Sequence, residues 1–473
     1  MATAMNVRKF DLNIEKVLEH WTVAHALREV IANALDEQAL THTAAPLIMK
    51  DDEGRWHVQD FGRGLKYEHL TQKESREKLK NAALVIGKFG VGLKDAFATF
   101  DRHHIHVLIR SPHGNITTEK DAKHGFADLK TLHAIIHPAT EPIVVGTEFI
   151  LAGLKDEDVA KAKDFFLLFS GDELLEETKY GSVLRRASAK GRKARIYVNG
   201  LCVAEEENFL FSYNITSLTT PLRKALNRER TNVGRGAYTD RVKAILLECT
   251  KSAVADELAH DLSNLDRGLA HDELLWQEVQ LHACRILNAN EKVLFVTSEQ
   301  LMQGGPLITY ARNEGRRIIV IPVSIAGKLG TLKDIQGQPI HNLDEFRKAW
   351  DNSFHFTFVP EDQLSTEEQN IYKLTQPIMK LLGKRTSIVK AVLISDTMRL
   401  NVYNNNEALG LWESAEQRII IKRDQLRSLE TYAGTLLHEL THALSDTDDE
   451  TLEFEQELTS VIGKLAALAF NKK

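Results

Sequence analysis

From Trp21 to Leu40 the chain holds neither glycine nor proline, and its apolar residues recur at helical spacing, so this stretch reads as one long helix. Glycine then returns in clusters: Gly62 and Gly64 follow the strand-like run Arg55–Asp60, and Gly87, Gly90 and Gly92 precede LKDAF. A strand that runs straight into glycine marks a sharp turn or a close approach to the backbone, because glycine carries no Cβ. With a polar helix-like stretch at Lys66–Ala83 and strand-like runs at His104–Arg110 and Val144–Leu151, residues 1–155 read as one α+β unit.

At roughly 150 residues per domain, the 473 residues leave room for about three domains. A helix at Asp156–Phe169 leads into a small α/β segment with a strand at Arg195–Ala204 and a helix at Pro221–Arg230. Helices rich in Ala, Leu, Glu and Lys follow over 238–288, then strands at Val293–Ser298 and Ile318–Ser324. The last part holds strands at Ala391–Asp396 and Arg418–Lys422, a helix at Leu429–Leu444 and a final helix to Phe470. The domains expected are 1–170, 171–250, 251–385 and 386–473, the third a helical connector with an α/β part.

Sixty basic against 66 acidic residues give a net charge of −6, so no overall field draws the chain to nucleic acid or an anionic membrane, and any nucleic-acid contact has to be local. The basic run Arg185–Arg195 has no aromatic interleaving and reads as a solvated loop. Cys202, Cys249 and Cys284 are far apart and without CxxC spacing, which points to a reducing compartment and small buried side chains. The N-terminus lacks a signal-peptide core, and the longest apolar run, Ile318–Ala326, is far short of a membrane helix. An intracellular, cytoplasmic location is expected, with a nuclear one as the alternative.

Glu29, Asn33 and Asp36 stand at i, i+4 and i+7 of the first helix. At about 100° per residue they share a sector of roughly 60°. Such a stripe offers hard oxygens to magnesium, Asn33 without adding charge next to phosphates, and places Glu29 one turn away to take a proton from water. Asp60, beside the Gly62 and Gly64 turn, can accept from the amino group of adenine, and the cluster of Gly87, Gly90 and Gly92 offers backbone N–H groups to phosphates.

In this order REVIANALDE, QDFGRGL, GKFGVGLKDAF and VGTEF resemble the four boxes of the GHKL ATPases, the group of DNA gyrase B, the large heat-shock chaperone, histidine kinases, MutL and the MORC proteins. The resemblance covers about residues 10–155. It implies a Bergerat sandwich with helices on one face of a mixed sheet, with Glu29 as general base, Asn33 as magnesium ligand and Asp60 as adenine reader. Gly62, Gly64, Gly87, Gly90 and Gly92 would form the turn and lid, Thr147 would reach adenine through water, and Asp36 and Lys94 join the nucleotide-binding set. A homodimer through the ATPase domain is implied as well. In gyrase, MutL and the chaperone a following domain returns a Lys or Arg to the γ-phosphate. Here 171–250 takes that place as a transducer-like domain, with Arg228, Arg230 and Arg235 as candidates and Arg230 the one carried forward.

Near the other end, TLLHELTHAL matches HExxH at His438, Glu439 and His442. Histidines at i and i+4 share a helix face and reach one zinc ion, and Glu439 lies close enough to deprotonate zinc-bound water. The preceding strand RIIIK fits the edge strand that aligns the substrate backbone in zincin proteases, which this segment resembles. Short zincins carry a glutamate ligand before an aromatic of the next helix, which singles out Glu450 ahead of Phe454, with Asp449 as the alternative. HELTHAL also resembles the histidine-kinase phosphoacceptor box, but it follows the ATPase boxes here and no proline comes after it.

The resulting expectation is a machine using ATP, Mg2+ and Zn2+. Closure or dimerisation of the ATPase domain would gate hydrolysis of a protein or peptide substrate by the zincin-like domain. The alternative is a MORC- or chaperone-like clamp that remodels protein or nucleic acid and keeps a non-catalytic zinc module.

Overall fold

The computed structural model describes residues 7–12, 19–71, 76–81, 85–86, 92–123, 126–187, 193–226, 233–400 and 406–470. The chain parts into two compact units, 1–286 and 287–473.

The first unit opens with a seven-stranded sheet of β1 (Arg8–Asp11), β2 (Leu47–Lys50), β3 (Trp56–Gln59), β4 (His106–Arg110), β5 (Asn115–Lys123), β6 (Phe126–His137) and β7 (Glu148–Ala152). Their order is β1-β6-β5-β4-β7-β3-β2, and every neighbouring pair is antiparallel, which corrects the expected mixed sheet. Parallel neighbours need a crossover between adjacent strands. Here the helical connections join strands that do not lie side by side: α1 (Val23–Thr41) links β1 to β2 at opposite edges, and the segment with α2 (Tyr67–Thr71), α3 (Arg76–Lys80) and α4 (Gly92–Arg102) links β3 to β4 across β7.

The expected long helix is α1. Its apolar stripe, Ala26, Leu27, Val30, Ile31 and Ala34, is buried with Phe97 and Phe100 of α4 and the inward residues Val58, Ile109, Phe149 and Leu151 of the sheet. Packed beside it is α5 (Asp156–Asp164). Within the stretch Lys66–Ala83, expected to be helical, the described residues hold the two helical segments α2 and α3.

A second, mixed sheet in this unit comprises β8 (Glu173–Thr178), β9 (Gly181–Arg185), β10 (Ala194–Val198), β11 (Leu201–Glu206) and β12 (Ser212–Ile215), in the order β11-β10-β12-β9-β8 with only β10 and β12 parallel. The single strand expected at Arg195–Ala204 is the β10–β11 hairpin. Asn199 (φ 48°) and Gly200 (φ 82°) supply the two left-handed residues that a tight two-residue turn requires. Helices α6 (Thr220–Ala225), α7 (Thr239–Glu248), α8 (Ser252–Leu262) and α9 (Gln277–Asn290) follow. Cys249 and Cys284 are buried, as expected of small apolar side chains, and Cys202 is half-buried.

In the second unit, β13 (Val293–Val296) and β14 (Arg317–Val320) pair in parallel among α10 (Ser298–Gln303), α11 (Gly305–Asn313), α12 (Val323–Leu329) and α13 (Leu343–Ser353). The strand expected to reach Ser324 stops at Val320 because Pro322 caps α12. After α14 (Thr366–Tyr372) and α15 (Thr375–Leu382) comes a three-stranded sheet, β15 (Ala391–Ser395), β16 (Gly410–Glu413) and β17 (Arg418–Lys422). Against it packs α16 (Leu429–Ser445), and α17 (Leu452–Phe470) packs on α16 and α15, closing a core of Val392, Ile394, Ile419, Ile421, Leu436, Leu440 and Val461. No helix of the described residues is long and apolar enough to cross a membrane.

Candidate nucleotide pocket and candidate metal centre

Helix α1 presents Glu29, Asn33 and Asp36 along one stripe, and each is tied to a named partner. Glu29, 5% exposed, accepts from Arg28 Nη2 at 2.8 Å and Nε at 3.2 Å. Arg28 is 1% exposed and its guanidinium lies 5.4 Å from the rings of both Trp21 and Phe165, so two aromatics and one carboxylate hold it. Gly92, the first residue of α4, lies so close to Glu29 that a Cβ there would overlap the carboxylate, and any larger residue would have to displace it from Arg28. Asn33 donates from Nδ2 to the Glu29 carbonyl at 2.9 Å, which turns its Oδ1 to Lys78 Nζ, also at 2.9 Å. The buried Asp36 accepts from Lys78 Nζ at 2.7 Å and from the Ile86 N–H.

Asp60 closes β3. Its Oδ1 accepts from the N–H of Gly62 at 2.9 Å and of Thr147 at 3.2 Å, so the glycine turn and the start of β7 are bound to one carboxylate. Burial pushes its carboxyl above the ordinary range, against the pull of those N–H groups. Asn33, Asp60, Gly64, Lys78, Leu93 and Thr147 line one cavity of about 270 Å³. Asn33 of the helix stripe, the strand-end carboxylate and the β7 threonine thus line a single space, with Gly62 bonded to Asp60, whereas Glu29 and Asp36 are buried along the stripe and are not among the residues lining it.

Lys94 lies half-buried on α4. Gly87, Gly90, Arg228 and Arg230 lie outside the described residues. Arg235 stands over the Phe209 ring and pairs with Asp272 at 2.6 Å and Glu206 at 3.6 Å. Among the pocket residues not read from the sequence are Glu37, which binds Arg63 through both oxygens, and Lys78. Glu37 follows Asn33 by one turn of α1, a spacing that does carry the signal, whereas Lys78 sits in a polar stretch with no pattern to mark it.

The second constellation rests on α16, which Ser428 starts by accepting the Thr431 N–H and which ends at Asp446 in the left-handed region. The turn after it brings Asp449 back over the helix. Asp449 Oδ1 lies 3.2 Å from His438 Nε2 and 3.3 Å from His442 Nε2, and the two imidazole nitrogens are 3.3 Å apart. Ligand atoms about 2.0–2.1 Å from a tetrahedral zinc are about 3.3 Å from one another, so the three atoms present the face of such a site. His442 Nδ1 donates to the Thr447 carbonyl at 2.8 Å, leaving Nε2 as the ligating nitrogen. Burial pulls His438 below its ordinary range, toward the neutral form that binds metal. Phe454 of α17 stacks on the His442 ring at 4.4 Å and meets His438 at 5.0 Å. Of the two carboxylates weighed as third ligand, Asp449 joins the histidines. Glu450, exposed and with φ 64°, is not among the three.

Glu439 is 6% exposed, and burial, assisted by the charge of Asp449, pushes its carboxyl up to about 8 against one N–H bond from Trp412. It lies under β16, where a Cβ on Gly410 would stand 2.7 Å from its Cγ and Oε1. The strand RIIIK, expected at the edge, is the central β17, paired with β15 on one side and β16 on the other. The strand next to Glu439 and at the sheet edge is β16, which the sequence hides: its four residues include Gly410 and alternate poorly.

The family described as the Mycoplasma pneumoniae MPN635 N-terminal domain matches residues 157–252, the stretch from α5 through the second sheet into α8. An uncharacterized protein of Mycoplasma pneumoniae is 38% identical over 244 residues, which are 51% of this chain and 97% of that protein. Another from the same organism is 25% identical over 369 residues, 71% of this chain and 99% of the relative, and a third is 31% identical over 183 residues, 37% and 93%. The chain belongs to the family of these Mycoplasma pneumoniae proteins.

Proposed function

We propose that this protein binds and hydrolyses MgATP in the manner of the GHKL ATPases, and that its C-terminal unit is a metal-dependent peptidase whose action the nucleotide governs. The observation that carries the reading is the single 270 Å³ cavity on which Asn33, Asp60 and Thr147, far apart in sequence, converge. Asp60 would accept from the exocyclic amino group of adenine. Asn33 would give its Oδ1 to magnesium, which would screen the phosphates when bound. Glu29 would take the proton of the attacking water, and Arg28 would keep its carboxylate oriented. Asn199, at the β10–β11 turn, donates to the Val85 carbonyl at 2.9 Å and so joins the second sheet to the segment just before Gly87; this favours passage of the nucleotide state into the transducer-like part.

The peptidase half is favoured by the His438–His442–Asp449 triangle and by the buried Glu439 beneath an edge strand. These three residues would hold zinc, which as a Lewis acid lowers the pKa of a bound water and polarises a peptide carbonyl. Glu439 would receive the water's proton and pass it to the leaving amine, and the open side of β16 would pair with an extended peptide.

Phosphate release and peptide hydrolysis, each measured with purified full-length protein, test the two halves. Glu29→Ala should bind ADP as wild type does and lose about 10²- to 10⁴-fold in phosphate release. Glu439→Gln should keep its zinc and lose peptide cleavage by a similar factor. Undiminished turnover in either variant removes that half of the proposal, and cleavage indifferent to ATP removes the coupling.

A further inference from the structure

Lys78, which lines the cavity together with Asn33, bridges two side-chain oxygens of α1, Asn33 Oδ1 at 2.9 Å and the buried Asp36 Oδ2 at 2.7 Å. The Asn33 amide cannot turn away, because its Nδ2 is committed to the Glu29 carbonyl. Asp36 is 1% exposed, and a carboxylate so buried needs a cation or several donors. The ammonium that answers this need sits on the long stem of a residue 18% exposed and belongs to the short helix α3, so the seat belongs to α1 and its occupant to another element.

On the nucleotide reading above, we propose that Lys78 is a positioning residue of that site. Its ammonium occupies the cation seat between Asn33 and Asp36 and exchanges with magnesium when the nucleotide enters. Asn33 Oδ1 is the one oxygen that its side chain offers, and an ammonium 2.9 Å from it stands where a divalent ion bound to the same oxygen would meet strong like-charge repulsion. A lysine is suited to the exchange because its charge is compact and its stem flexible. Two consequences follow in opposite conditions. Without magnesium, Lys78 keeps a positive charge beside the phosphates and sustains nucleotide binding. With magnesium, it is a competitor that raises the ion concentration needed.

The test is the affinity for the non-hydrolysable analogue adenylyl imidodiphosphate, measured in EDTA and across a magnesium titration with full-length protein. Lys78→Met should weaken binding in EDTA and lower the half-saturating magnesium, so that the ratio of the two dissociation constants rises by about tenfold or more over wild type. Lys78→Arg, which keeps the charge, should lose less affinity in EDTA than Lys78→Met does. A merely structural ion pair would change both affinities together and leave the ratio alone. To guard against misfolding from an unpaired Asp36, Lys78→Gln, whose amide can still donate to Asp36 but carries no charge, should show the same rise in the ratio. An unchanged ratio in Lys78→Met overturns the role of Lys78 while wild-type binding still supports the nucleotide reading; a wild type that binds the analogue in neither condition overturns both.

Discussion

Arg28 and Glu29, neighbours in sequence on α1, form a buried ion pair, with Nη2 to Oε1 at 2.8 Å. Because both side chains are almost fully out of water, removing the cation leaves the carboxylate uncompensated. Such a break costs about 3–5 kcal/mol, whereas removing both charges costs far less. Arg28→Met should therefore lose about that much in urea unfolding, and Arg28→Met/Glu29→Gln should recover most of it. A single variant as stable as wild type would show that the pair does not hold Glu29.

The Oδ1 of Asp60 takes two backbone N–H bonds. An asparagine preserves them only by presenting its Nδ2 in place of Oδ2, which sets a donor against the donor amino group of adenine. Asp60→Asn should thus keep the fold, judged by its unfolding midpoint, and lower ADP affinity roughly 10- to 100-fold, the cost of a charged hydrogen bond of about 1.5–3 kcal/mol. Calorimetric titration with ADP and GDP would check it, and equal loss for both bases would show that Asp60 does not read adenine.

Both constellations were legible because their residues lie on single helices, where spacing alone fixes the face: Glu29, Asn33 and Asp36 on α1, His438 and His442 on α16. What failed was set by tertiary partners. The β5–β6 hairpin is charged on both faces beyond the sheet and carries no alternation to read. The choice of Asp449 over Glu450 is made by a turn whose residues 446 and 450 have positive φ, which no spacing rule reports. Lys78 enters the cavity beside Asn33 from α3. Its role depends on where α3 lies against α1, and a run of alternating charges says nothing of that.

His57 of β3 bonds Asp51 through Nε2 and Glu148 through Nδ1, each at 3.0 Å. Burial opposes its protonation, but the two carboxylates prevail and hold its pKa above the ordinary value. A histidine raised on folding adds stability that is full below its unfolded pKa, near 6.5, and lost as pH climbs through the folded value. Unfolding free energy should then fall from about pH 6.5 upward, and His57→Gln should flatten this part of the profile. Parallel profiles for the two proteins would assign the dependence to other groups.

Asp449 and Glu450 are adjacent carboxylates of equal charge, yet only Asp449 completes the triangle with His438 and His442. Loss of a direct ligand should exceed the roughly 10- to 100-fold that removal of a supporting group costs in metal affinity. Asp449→Ala should accordingly emerge from purification depleted of zinc, or bind it more weakly than that margin in competition with a chelator, while Glu450→Ala keeps wild-type affinity. The comparison cancels the general effect of one less negative charge near the metal, since both variants lose one. It also separates ligation from the alternative that Asp449 merely neutralises the imidazoles: Asp449→Asn, which keeps the shape but loses the anionic oxygen, should fall with Asp449→Ala in zinc affinity while matching wild type in thermal stability of the metal-free protein. Equal zinc binding by Asp449→Ala and Glu450→Ala would rule Asp449 out as the third ligand.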